Sequence, residues 1–198
     1  MRDNPPAAMS TLPPAIAARA PSPLLPRHEA DAYGPLPTPA PHTDAELTTL
    51  LRLLAAPTTL TIGHSRDTAS ITAAASLAEA WRAAGRTVLA LVHWPEHAAS
   101  WLRPAQRFTA GRPDAWVVAA APLGWAQMSR RLRHSTDWEP TRTYGFASVG
   151  DSRLVALAGP ETLDGMRGAT TDGGTWLIDR GWVTRHTPRI APPHPMTR

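Results

Sequence analysis

Gly63-His64-Ser65-Arg66-Asp67 gathers a hydroxyl, an imidazole, a guanidinium and a carboxylate at the junction between an apolar run and a helical segment. The spacing is close to the G-x-S-x-G nucleophile elbow, and Asp172 and His186 follow in the chain order of an acid and a base. A serine hydrolase fragment using Ser65 is therefore one reading. The elbow needs a small final residue because strand and helix crowd there, and that position holds Asp67. The competing reading gives Ser65, Asp67 and Thr68 a local task, satisfying free amides at the start of the helix. His93-Trp94-Pro95-Glu96-His97 has the H-x-x-E-H spacing of a class of zinc proteases, which works when both histidines lie one turn apart on a continuous helix. Here His93 ends a strand and Pro95 opens the helix after it, so no metal is expected. Trp94, Trp125 and Trp138 lie near loop positions, where they either wall a flat or sugar-like ligand or pack in the core. No G-x-G-x-x-G follows the first strand and no G-x-x-x-x-G-K-S/T occurs, so no nucleotide cofactor is expected.

The elements that position these residues follow from apolar patterning. Three short apolar runs, 60–63, 87–92 and 115–120, alternate with longer segments of helical periodicity. Buried strands separated by helices pair in parallel with right-handed crossovers, which makes a three-layer, Rossmann-like, doubly wound, mostly parallel α/β sheet. Ligands in such sheets sit off the carboxyl ends of the strands, so the loops 64–70, 93–97 and 121–125 are the ones to read for function. Further elements are a helix over 45–55, a helix over 67–84 with Ile71, Ala74, Ala75, Ala78 and Trp81 facing the sheet, and a helix opened at Pro95 and kinked at Pro104. A helix over 124–134, a strand over 144–148, a short helix over 153–158 and a hairpin joining 175–179 to 182–184 complete the set. The late glycines, Gly159, Gly165, Gly168, Gly173 and Gly174, read as turn residues.

With 198 residues the chain suits one domain with a sizeable core. Every one of its 20 basic residues is Arg, scattered and not gathered into a stripe with aromatics, so the net charge of +4 does not point to nucleic acid. Cysteine is absent, which removes disulfides, thiolate metal sites and thiol nucleophiles together. No apolar run has the length of a signal-peptide core or a membrane span, so the chain as written is expected to be soluble and cytoplasmic, with no membrane insertion. Residues 1–43 hold 11 of the 22 prolines and are expected to form a disordered arm that buries little; 44–187 form the lobe and 188–198 a disordered tail.

The segment 119–133, with Gln127, Arg130 and Arg133 in the pattern Q-x-x-R-x-x-R, is followed by Gly150-Asp151, a short helix ending Ala158-Gly159, and Gly165-Met166. In that order they resemble the C-terminal lobe of type 1 periplasmic ligand-binding proteins, the branched-chain amino-acid-binding components of ABC transporters. The similarity runs from about 59 to 170. It implies a single lobe, a small polar or amino-acid-like ligand, no catalysis, and an ABC transporter permease or a missing first lobe as partner; members of the family are exported. Carried onto this chain, the ligand groups are His64, Ser65, Asp67, Thr68 and Ser70 after the first strand, His93, Trp94 and Glu96 after the second, and Pro122 and Trp125 after the third. Amides and hydroxyls at the start of the first helix would hold a carboxylate or another anion, and Trp94 or Trp125 would supply an apolar wall. The family's Tyr, acidic and aromatic ligand positions fall on 68–70, 93–94 and Ala121, so the resemblance implies the fold and ligand binding ahead of branched-chain specificity. A lone lobe is a half-site, which a homodimer would cover. The third reading is a protein-interaction or regulatory α/β domain.

Overall fold

The computed structural model describes residues 24–25 and 31–188. Residues 1–23 and 26–30 of the expected arm and 189–198 of the expected tail lie outside them. Among the described residues the main elements are α1 (Asp44–Leu53), β1 (Thr59–Ser65), α2 (Thr68–Ala83), β2 (Thr87–Trp94), α3 (Leu102–Thr109), β3 (Ala115–Ala119), α4 (Pro122–Ser135), β4 (Thr143–Gly145), α5 (Ser152–Ala158), β5 (Arg167–Ala169), β6 (Thr175–Asp179) and β7 (Trp182–His186). The strands form one sheet in the order β2-β1-β3-β4-β5-β6-β7. The first five are parallel, and β6 and β7 close the far edge antiparallel. The expected doubly wound layer is thus present. The strand order reverses between β1 and β3, which puts the crevice of the sheet at the ends of those two strands.

Two apolar layers hold the sheet. Leu50 and Leu54 at the end of α1, with Ala73, Ala74, Leu77, Ala78 and Trp81 of α2, pack on one face. The other face carries α3, α4 and α5 through Phe108, Trp125, Met128, Leu132 and Leu154, with Trp94, Trp116, Trp138 and Trp176 between them. The tryptophans pack edge-on and tilted: ring centroids are 5.7 Å apart for Trp94–Trp125 and for Trp125–Trp138, at 33° and 86°.

Several local expectations need correction. In α2 the buried stripe is Ser70, Ala73, Ala74, Leu77, Ala78 and Trp81, while Ile71 is 45% exposed. Alanine is small enough to sit on either side of a helix, so an alanine-rich segment leaves its register open, and bulky Leu77 and Trp81 fix it. Pro95 starts no helix; α3 begins at Leu102, and Pro104 sits in its first turn, where the missing N–H has no intrahelical acceptor to lose. The strand expected over 144–148 ends at Gly145 and gives way to a 3-10 turn, Ala147–Val149. Strand β5 was not expected, and its centre explains why. A Cβ on Gly168 would lie 1.9 Å from the Gly145 carbonyl oxygen and 2.4 Å from the Trp176 ring, so this glycine serves close approach and not a turn. The hairpin is as expected, with Arg180 and Gly181 both at positive φ in its two-residue turn.

The described part of the arm, 31–43, lies along the lobe. Leu36, Pro39 and His42 are half-buried and Leu36 packs on the aromatic layer, to which buried Leu25 also belongs. Proline excludes helix and central strand, but it does not exclude an extended strip pressed on a surface. At Thr43 the strip meets α1 through a capping box: Thr43 Oγ1 accepts the Glu46 N–H at 3.1 Å, and the Glu46 carboxylate accepts the Thr43 N–H at 3.4 Å.

Candidate functional site

Ser65 ends β1 with its side chain fully buried. Its Oγ donates to Asp67 Oδ2 at 2.7 Å, lies 3.1 Å from Ser70 Oγ and accepts the Ala121 N–H at 2.7 Å. The last bond ties the end of β1 to the chain leaving β3, across the switch point of the sheet. Asp67 caps α2, accepting the Ser70 N–H at 2.8 Å. Burial raises the Asp67 pKa, but the hydrogen bonds from the Ser70 amide and from the Ser65 and Ser70 hydroxyls outweigh it, so its carboxyl is held below the usual range. The Ser70 amide, one of those expected to hold a ligand's carboxylate, is therefore already engaged by this chain's own acid.

Glu96 plays the matching part at α4. Its Oε2 accepts the Gly124 N–H at 2.7 Å, and Oε1 is buried without a partner. Burial pushes this carboxyl up to about 7; the Gly124 bond pulls the other way, and the Asp67 charge adds to the rise. Pro122 opens α4 beside it, at the first helical position that proline suits. A cavity of about 410 Å³ lies between Asp67, Glu96, His97, Ala121, Pro122 and Leu123 on one side and residues 34–39 of the arm on the other.

A second cavity, about 220 Å³, continues along the strand ends. Ser70, Ala73, Ala119, Phe146, Ser148, Asp151 and Arg185 line it, again under residues 37–42 of the arm. Arg185 reaches in from β7 and donates to the Gly150 carbonyl at 2.8 Å; Asp151 caps α5 and pairs with Arg153 at 3.0 Å. Sequence reasoning did not nominate Arg185, Ser148 or Asp151. The Gly150-Asp151 loop was the one available signal, because nothing in an edge hairpin marks Arg185 as pointing back to the sheet.

The expected site residues thus divide. Ser65, Asp67, Ser70, Glu96 and Pro122 come together around the switch point. His64 and His93 sit outward at the ends of β1 and β2 with their rings 5.9 Å apart, and Arg66 Nε–H points at His93 Nδ1 at 3.4 Å. His93 is held below the usual histidine range, first by loss of solvent and then by Arg66, His64 and Arg107. Thr68 faces solvent on the first turn of α2. Trp94 and Trp125 do not wall a ligand: both are fully buried, stacked on one another in the aromatic layer. The elbow reading also meets its geometry here, since among the described residues no imidazole bonds the Ser65 hydroxyl, and Asp172 is occupied with Thr170 and the Gly174 N–H.

No protein-family model and no curated protein matches the sequence. Solved structures do. A substrate-binding periplasmic protein from Ralstonia solanacearum aligns over 69% of this chain with a TM-score of 0.56 at 16% identity. An extracellular ligand-binding receptor from Rhodopseudomonas palustris HaA2 aligns over 63% with a TM-score of 0.54 at 18% identity. A branched chain amino acid ABC transporter periplasmic ligand-binding protein from Burkholderia xenovorans LB400 aligns over 62% with a TM-score of 0.50 at 12% identity. The fold is that of one lobe of a type 1 periplasmic ligand-binding protein. This lobe corresponds to 39%, 34% and 33% of the length of those three proteins, so the likeness is to a part of each. At these identities it concerns the fold, and the polar lining of the lobe's cavities has to be judged on its own chemistry.

Proposed function

We propose that the lobe is a non-catalytic solute-binding module that takes a small polar, amino-acid-like ligand at the carboxyl ends of its parallel strands. The observation that carries this reading is the pair of cavities at the strand ends, one lined by the donor Arg185 with Ser70, Ser148 and Asp151, the other by the acceptors Asp67 and Glu96. Arg185 and Asp151 line the same cavity, so in this reading the carboxylate of an amino-acid-like ligand lies toward Arg185 and its ammonium toward Asp151. One of the named structures is that of an ABC transporter periplasmic ligand-binding protein, and by that likeness a permease or a first lobe is the corresponding partner here. The burial of Ser65, with its hydroxyl tied to Asp67 and to the Ala121 N–H, supports a structural part for this residue in the reading.

The test is a thermal-shift and calorimetric screen of the full chain with the standard amino acids and small dicarboxylates. One lobe supplies half the contacts of a closed site, so affinity is expected on the order of millimolar. Arg185→Ala should weaken it at least about tenfold. Stabilisation by no member of the panel, or stabilisation that Arg185→Ala leaves untouched, overturns the reading.

A further inference from the structure

We propose that the strand-end crevice is a groove for an extended proline-rich peptide, that residues 34–42 of this same chain are its resident occupant, and that the solute cavities open only when this strap leaves. The inference rests on the solute-binding reading for what the groove does once open, but not for the seating of the strap.

The strap reads Gly34-Pro35-Leu36-Pro37-Thr38-Pro39-Ala40-Pro41-His42, and no helix or strand pairing covers 36–42. Its burial follows a period of three. Leu36, Pro39 and His42 are half-buried, and every other residue of the strap is exposed. A polyproline II helix has three residues per turn and no internal hydrogen bonds, so one residue in three faces whatever it lies on. The three inward residues meet suitable surfaces. Leu36 packs on the aromatic layer, Pro39 stands over both cavities, and the His42 ring meets Phe146 edge-on at 5.9 Å. Polyproline II ligands offer main-chain carbonyls that no proline can satisfy in return, and grooves that bind them supply donors. Here Arg153 Nη1 donates to the Pro35 carbonyl at 3.2 Å while its guanidinium pairs with Asp151. Four prolines in nine residues also stiffen the strap in the unbound state, which lowers the entropy lost on seating it.

The strap lies where a facing lobe would close on the strand ends, which removes the need for a second copy over the half-site. The fully buried Trp94 and Trp125 offer no surface to such a dimer.

Because the chain has no cysteine, a single introduced thiol reports on the groove without interference. Ser148 lines the cavity beneath Pro37, Thr38 and Pro39. In full-length Ser148→Cys protein, without added solute, the rate of reaction with a bulky maleimide should rise about tenfold on adding Leu36→Asp, the size expected when one apolar anchor is lost. Pro39→Gly, which loosens the strap without placing a charge near the core, should raise the rate in the same direction. A synthetic peptide of residues 31–43 added to the Leu36→Asp protein should slow the reaction again, and a scrambled peptide should not. Near-ultraviolet circular dichroism of the tryptophans checks that both variants keep their fold. Rates unchanged in both folded variants, or no protection by the peptide, overturn the proposal. Thiol release and peptide protection in a protein that still binds no amino acid leave the strap in place and remove the solute reading. Equal solute affinity in parent and Leu36→Asp removes its gating of the cavities.

Discussion

One face of the sheet packs on Trp94, Trp101, Trp116, Trp125, Trp138 and Trp176; the other carries a single tryptophan, Trp81, among leucines and alanines. The two faces solve the same burial problem differently. Wide rings need sockets, and glycines in the adjoining strands and loops supply them. A Cβ on Gly63 would lie 2.5 Å from Trp94, and one on Gly150 would lie 2.9 Å from Trp176. The alanine-rich face lets α2 lie close to the sheet, and its one ring, Trp81, donates its indole N–H to the Thr87 carbonyl at 3.2 Å. The aromatic face therefore tolerates neither a smaller ring nor a larger strand residue, whereas the alanine face is vulnerable mainly at Leu77 and Trp81.

The sharpest way to break this contrast is Gly168→Ala. The obstructing atom is a backbone carbonyl oxygen, which cannot rotate aside, so the variant should lose more than about 3 kcal/mol, at the upper end of overpacking, and show no cooperative denaturant transition near neutral pH. A normal transition would show that the sockets are not needed. Trp125→Ala and Trp81→Ala should each cost about 3–5 kcal/mol. What separates the faces is coupling. A double-mutant cycle between Trp94 and Trp125 should return about 0.5–1.5 kcal/mol, and a cycle between Trp81 and Trp125, on opposite faces, should return nothing measurable.

A smaller effect probes the junction where the aromatic face meets the crevice. Glu96 has a folded pKa of about 7, above its ordinary value, so between roughly pH 4.5 and 7 the folded state holds more protons than the unfolded one. Its contribution to stability is complete below that window and is lost as pH rises through about 7. Glu46 is raised by burial as well and acts in the same direction, His93 is lowered and opposes both as pH rises through the histidine range, and Asp67 and Asp151 are lowered and act only at more acidic pH. Glu96→Gln should flatten the decline between pH 5 and pH 8 without abolishing it. An unchanged slope in that variant assigns the decline to Glu46. The smallest expected effect is Ile71→Ala, within about 0.5 kcal/mol, because that side chain points away from both layers.

Legibility followed the strength of local signals. The alternation of β1, α2, β2, β3 and α4, and the β6–β7 hairpin with its Arg180-Gly181 turn, were readable because apolar period and turn chemistry agree there. Strand β5 has three residues around a glycine whose role is set by Gly145 and Trp176, neither near in sequence. Of the site, the polar cluster of Ser65, Asp67 and Ser70 was legible as a strand-to-helix junction. The local reading of Asp67 as a cap for the helix amides was legible too, whereas the bond from the Ala121 N–H to the Ser65 hydroxyl was not, because the two lie far apart in sequence. The tryptophans near loops were core because strand ends in this sheet are themselves covered. The strap escaped notice for a different reason: a period of three matches neither 3.6 nor 2, so a proline run that lies down looks, in sequence, like one that does not.

The capping box at Thr43 fastens the strap to α1 at one end, and this converts its seating into a concentration problem. A segment held beside its own groove, with α1 at one end and the buried Leu25 bonded to Gln127 on the other side, experiences an effective concentration on the order of millimolar, whatever the amount of protein in solution. A free peptide of equal intrinsic affinity competes only as it approaches that level, and dilution does not loosen the strap. A ligand or partner that enters the crevice at lower concentrations therefore has to bind the emptied groove more tightly than the strap does, by the ratio of the two concentrations.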